Sequence, residues 1–297
     1  MRRHQRGAML LALLGVIAAL GSLLLLRMAR ARDASPHSET GERALARARE
    51  ALIAYAALGN AAGNHDNSPG ALPCPDLDND GVADFRCSAD IGRLPWRTLG
   101  LGLLTDHAGE CLWYVRSPAF GNNIPTAGRG GSADRPALNP ALAGQIGDVE
   151  NGQHGTRTWV ALVIAPGDAL PHQQRGATDR LSGCRAGGAQ SFLDRSSFPG
   201  LDHAQGKVAI REAVSEHFND RVIGIDATPH FSLAAARVLG DVELSGGAPP
   251  HAWWSRNRWC ESLCADGPVG VIRIPDGEPV RRPLAALPGC ALPCERP

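Results

Sequence analysis

The strongest constraint on this chain lies at its start. Met1-Arg-Arg-His-Gln-Arg-Gly7 is short and basic, and the 19 residues from Ala8 to Leu26 (AMLLALLGVIAALGSLLLL) carry no charge. At ~1.5 Å per residue a helix over that run spans ~28 Å, about one bilayer core. A cleaved secretory peptide has a shorter apolar stretch and a small-residue cleavage site after it. Here the run ends instead in Arg27, Arg30 and Arg32. The expectation is a transmembrane helix over 8–26 after a leader over 1–7.

Arginines flank this run equally, three before and three after, so the positive-inside rule gives no orientation. The eight cysteines do: Cys74, Cys87, Cys111, Cys184, Cys260, Cys264, Cys290 and Cys294. An even count within Gly- and Pro-rich sequence reads as disulfides formed in an oxidising space. The rival is zinc on Cys260, Cys264, Cys290 and Cys294, although such sites more often use two-residue spacers. The disulfide reading places the C-terminal bulk in the periplasm and makes the protein a single-pass inner-membrane protein. Cys74 is expected to bond Cys87, closing a loop worth roughly 3 kcal/mol in the chain-entropy model. The four tail cysteines are expected to pair among themselves, which leaves Cys111 with Cys184.

After the anchor, residues 27–63 read as linker and amphipathic helix. Ser35 and Pro36 suit a helix start, with Glu39 and Glu42 near its N-terminus. Leu45, Ala48, Leu52, Tyr55 and Ala56 recur at steps of three and four, and Arg43, Arg47, Arg49 and Glu50 take other faces. Such a helix needs a partner surface. From residue 64 to 245 the pattern changes to short apolar runs between turns. Cys111–Val115, Thr158–Ala165 and Arg221–Ile225 are the best strands. Ala204–Phe218 and Phe231–Val238 read as helices, and 119–155 as a loop. Residues 246–297 form a tail containing Cys and Trp.

Chemistry is sparse. The 30 basic residues balance 30 acidic ones, so charge gives no reason to expect nucleic-acid binding. No Gly-x-Ser-x-Gly, His-Glu-x-x-His, phosphate loop or dinucleotide fingerprint occurs, and the expectation is a protein that is not an enzyme. Trp253, Trp254 and Trp259 read as structural groups beside the disulfides rather than as a glycan platform. The one cofactor signal is Asp76-Leu-Asp78-Asn-Asp80-Gly81-Val82-Ala-Asp84. Carboxylates at positions 1, 3, 5 and 9, Gly at 6 and a backbone carbonyl from Val82 at 7 match calcium-loop spacing. Position 12 is Cys87 rather than Glu, and Pro73 and Pro75 exclude an EF-hand helix before it. The expected cofactor is Ca²⁺; the alternative is a solvated acidic turn closed by Cys74 and Cys87.

A resemblance joins these features. A basic leader ending in Gly7, an apolar helix from Ala8, an amphipathic helix and a strand-rich domain resemble type IV pilins and pseudopilins. Gly70-Ala-Leu-Pro-Cys-Pro75, Gly92-Arg-Leu-Pro-Trp-Arg-Thr-Leu-Gly100, Leu112-Trp-Tyr-Val115, Ala161-Leu-Val-Ile-Ala-Pro-Gly167 and Phe218-Asn-Asp-Arg-Val222 resemble a group of poorly characterised pilin-like membrane proteins of Gram-negative bacteria. The similarity covers roughly residues 1–240. It implies an α+β fold with a long N-terminal helix packed on a small antiparallel sheet, with disulfide-containing loops and tail. It implies cleavage between Gly7 and Ala8 by prepilin peptidase, and pilin or pseudopilin subunits as partners. The fifth mature position is Ala12, where pilins that polymerise in bulk usually carry Glu, so the resemblance is to a minor subunit. The other function expected is an uncleaved membrane-anchored periplasmic module that binds a ligand or envelope polymer.

Overall fold

The computed structural model describes residues 36–58, 68–85, 87–121, 136–144, 146–150, 153–194, 207–211, 217–248 and 251–294. The described residues from Ala44 onward belong to one compact unit. The leader and the apolar run 8–26 lie outside the described residues.

Helix α1 covers Pro36–Leu58. From Ala44 onward its stripe of Leu45, Ala48, Leu52 and Ala56 is buried, as its three- and four-residue steps require. Tyr55 is only half-buried, at the rim of that stripe. Strands β1 (Ile91–Arg93), β2 (Trp113–Arg116), β5 (Ala161–Ala165) and β7 (Arg221–Ile225) form an antiparallel sheet in the order β1-β2-β5-β7. All five residues of β5 are buried, which explains its unbroken apolar sequence. Gly224 of β7 lies under the Trp159 ring, where a Cβ would come within 2.2 Å of Cε3. Any side chain there must displace the indole.

A second sheet is built from β3 (Ile146–Glu150), β4 (Gln153–Trp159) and β6 (Lys207–Arg211). Its order is β4-β3-β6, and β6 runs parallel to β3. Helix α2 (Ala227–Leu244) follows β7 and buries His230, Phe231, Ala234, Ala235, Val238, Leu239 and Val242 on one face. The chain then forms a short helix α3 (Ala252–Arg256) and strands β8 (Leu263–Asp266), β9 (Val269–Ile272), β10 (Val280–Pro283) and β11 (Leu292–Pro293). These make a third sheet, β10-β9-β8-β11, with β11 parallel to β8. One hydrophobic cluster joins α1, the first sheet, α2 and residues 253–284, including Trp253, Trp254 and Trp259. The tail is part of the core rather than an appendage to it.

Two expectations are corrected. The long N-terminal helix on a small antiparallel sheet is not the fold observed: among the described residues α1 has 23 residues, and two of three sheets mix parallel with antiparallel pairing. The single-pass inner-membrane placement is not supported either. Among the described residues no helix is long and apolar enough to cross a membrane. Helix α1 cannot span because it interleaves its apolar stripe with Glu42, Arg43, Arg47, Arg49 and Glu50, and the run 8–26 itself lies outside the described residues. Two sequence-level assignments also change: part of 204–218 is strand β6, and 146–150 within the expected loop is strand β3.

Candidate functional site

Asp76 organises the acidic loop. Its main chain pairs with Arg93, donating to Arg93 O at 3.0 Å and accepting from Arg93 N at 2.8 Å. Its side chain folds the loop around itself. Oδ1 accepts from Asn79 N at 2.7 Å and Asp80 N at 3.3 Å, and Oδ2 accepts from Gly81 N at 2.7 Å. Such a turn needs left-handed backbone, supplied by Asn79 (φ 67°) and Gly81 (φ 83°). Gly81 also lies on the face of Trp96, whose Cε2 would be 2.6 Å from an added Cβ. At the loop ends Tyr114 Oη donates to Pro73 O at 3.2 Å, and Cys74 is bonded to Cys87 across 4.9 Å between Cα atoms.

This turn brings together Asp76, Asp78 and Asp84, one carboxylate oxygen of each within 4.8 Å of the others. Asp84 Oδ2 also accepts from Leu77 N at 2.7 Å. Asp80 is not in the group; its Oδ1 caps Val82 N at 2.7 Å, and Val82 carries an exposed side chain. Three of the four expected carboxylates therefore lie together, and Asp80 does not join them. Their chemistry suits a hard divalent cation, because every side-chain donor is oxygen. Asp76 is 1% exposed, and burial pushes its carboxyl up to about 6 despite the amides it accepts from. A buried carboxylate held that far from its ordinary range gains when a cation shares its charge.

The other sequence-predicted residues fall as follows. Gly7 and Ala8 lie outside the described residues. Cys111 is bonded to Cys184, with Cα atoms 5.6 Å apart, and the tail pairs are Cys260–Cys290 and Cys264–Cys294. Four disulfides answer the zinc alternative, since a bonded sulfur is no longer a thiolate ligand.

Several buried and half-buried polar groups had no signal in the sequence. His230 contacts Gly70 O through Nε2 at 2.8 Å, and burial lowers its imidazole to about 4, so the ring is neutral at pH 7. Arg237 donates to Ala57 O at the end of α1, 3.0 Å away. Asn257, fully buried, accepts from Leu138 N at 3.0 Å, and its Nδ2 donates to Ser68 Oγ at 2.9 Å. Arg93 is sandwiched between Trp113 and Phe192, its Cζ 4.2 and 4.0 Å from the ring centroids. Glu110 faces Arg175 at 3.2 Å and Arg185 at 3.7 Å. Arg175 further donates to Gly167 O and Gln173 Oε1, both at 2.6 Å. Asp106 and Asp194 accept from the backbone amides of Ala108, Glu110 and Gly167 and of Asn219 and Asp220, respectively. The longest of these contacts span 61 to 189 residues of sequence, which no local motif encodes.

Comparison with protein-family models, with curated proteins and with solved structures finds no match for this chain.

Proposed function

We propose that this protein is a non-enzymatic subunit of an extracytoplasmic assembly of the type IV pilus or type II secretion kind, acting as minor pilins and pseudopilins do. The observation that supports this reading best is the employment of the buried and half-buried charged groups. His230, Asp106, Asp194, Arg237 and Arg175 are each engaged with main-chain amides or carbonyls that join separate segments. Such groups position a scaffold; a general acid or base must instead face a reacting atom. Four disulfides add the oxidising compartment in which such assemblies work. The partners are other pilin or pseudopilin subunits, and prepilin peptidase is the processing enzyme. The rival reading, a module binding polymer on its tail tryptophans, loses its platform because Trp253, Trp254 and Trp259 are 1%, 3% and 0% exposed. N-terminal sequencing and intact mass of protein co-expressed with prepilin peptidase test the proposal. A methylated start at Ala8 is expected, and a chain still beginning at Met1 or Arg2 would overturn it.

The acidic loop is proposed as a weak divalent-cation site on Asp76, Asp78 and Asp84, with Ca²⁺ the expected ion. At about ten times Kd, binding to the folded state alone adds about 1.4 kcal/mol, a rise in Tm of roughly 4 °C. The sign of its pH dependence follows from Asp76. A carboxyl raised from 3.8 to about 6 makes the fold bind more protons than the unfolded chain between those values. Stability from Asp76 is thus lost as pH rises from about 4 to about 6, and a cation relieves that loss above about 6. Millimolar Ca²⁺ should raise Tm at pH 7.5 in wild type, not at pH 5, and not in Asp78→Asn. A melt indifferent to Ca²⁺ and chelator at pH 7.5 leaves the loop an acidic turn.

A further inference from the structure

The disulfide that closes the acidic loop has a guanidinium on one of its sulfurs. Arg116 Nη1 donates to Cys87 Sγ at 3.0 Å, while Nη2 holds Asp90 Oδ1 at 2.7 Å. Arg116 is 2% exposed, so its charge acts on the sulfur with little screening by water. It is fixed there by β-pairing with Ala161 and by its own amide, which donates to Asp90 O at 2.8 Å. Cys87 has φ 46°, a left-handed backbone that a non-glycine residue leaves readily once its constraint is removed. Cys74 and Cys87 are both half-buried, whereas Cys111 and Cys184 are each 3% exposed. The first pair is open to a thiol in solution in a way that the second is not; Cys290 of the tail is exposed as well, but its pair carries no such guanidinium contact among the described residues.

We propose that Cys74–Cys87 is a thiol-exchange site with a fixed polarity, its substrate class being small or protein thiols. An incoming thiolate attacks Cys74 Sγ; the new sulfur–sulfur bond forms there as the Cys74–Cys87 bond breaks. Cys87 leaves with the electron pair as a thiolate beside Arg116. A cation at the leaving sulfur lowers the pKa of its thiol, and a lower leaving-group pKa speeds exchange. A second thiolate then attacks the sulfur of the first thiol in this mixed disulfide and displaces Cys74 as a thiolate, so two thiols are oxidised to a disulfide and the protein pair is reduced. Asp90 tempers the effect without cancelling it, because it occupies the other terminal nitrogen of the guanidinium. The consequence is local. Opening this bond releases the end of the segment that carries Asp76, Asp78 and Asp84, and makes the acidic cluster responsive to ambient thiols. The proposal depends on neither the assembly reading nor the bound cation.

The test treats the folded full-length protein with glutathione at pH 7.5 and quenches it with an alkylating agent for peptide mapping. Glutathione is expected on Cys74 with Cys87 alkylated. In Arg116→Met the rate at this pair is expected to fall roughly fivefold, from a leaving-group shift of one to two pKa units. Arg116→Lys keeps the charge and should stay near wild type. Glutathione on Cys87, no adduct on either cysteine in the folded protein, or an unchanged rate in Arg116→Met with the fold intact by circular dichroism would overturn the proposal. If Arg116→Met does not fold, the position of the adduct in wild type decides alone.

Discussion

Replacing Trp259 with alanine is expected to lower the melting temperature by roughly 10 °C, the equivalent of about 3–5 kcal/mol. Trp259 is fully buried, with ring centroids 6.4 Å from both Phe231 of α2 and Trp253 of α3. Truncation there leaves a cavity between α2 and the chain that follows it, and the two neighbouring rings lose their edge contacts. Leu292, in the same stretch of sequence, is 73% exposed, and Leu292→Ala should fall within about 0.5 kcal/mol of wild type. Differential scanning fluorimetry of both variants under oxidising conditions measures the contrast. Equal, small shifts would mean that residues beyond 250 do not share the core.

That contrast also marks where the sequence was informative. The buried stripe of α1 was legible because Leu45, Ala48, Leu52 and Ala56 repeat at helical spacing, and strand β7 at Arg221–Ile225 because its apolar run is short and bounded. Tail architecture was not legible. Trp253, Trp254 and Trp259 fill space between elements distant in sequence, and no period announces that Trp259 meets Phe231 of α2, 28 residues before it. Residues 207–211 read as helix but form β6, because parallel pairing with β3 decides the state of so short a segment. In the acidic loop, spacing identified Asp76, Asp78 and Asp84 as a group. It did not reveal that Asp80 is drawn aside to cap Val82 N, which depends on local turn geometry. The membrane reading rested on a run that lies outside the described residues. The described helices, with charges distributed along α1, do not extend it.

The Glu110–Arg175 pair sets the second large effect. Arg175 and Glu110 side chains are 1% and 6% exposed, so neither charge has water to fall back on. Arg175→Met removes the closest cation and leaves Glu110 to Arg185, which is 3.7 Å away and nearly half exposed, and to the field of the buried Arg93. It also removes the donors on Gly167 O and Gln173 Oε1, both acceptors in the turn after β5. Breaking a buried pair by deleting one partner costs about 3–5 kcal/mol, mainly because the remaining charge is left uncompensated. Glu110→Gln in the Arg175→Met background removes that charge and should recover a large part of the loss. What the double variant does not recover belongs to the carbonyls and to the Arg175 guanidinium over Phe192, 5.1 Å from its centroid. Urea melts of the four proteins in the double-mutant cycle separate the two contributions. Additive losses would show that the carboxylate and the guanidinium act independently, and that Arg175 matters here only as a donor to the backbone.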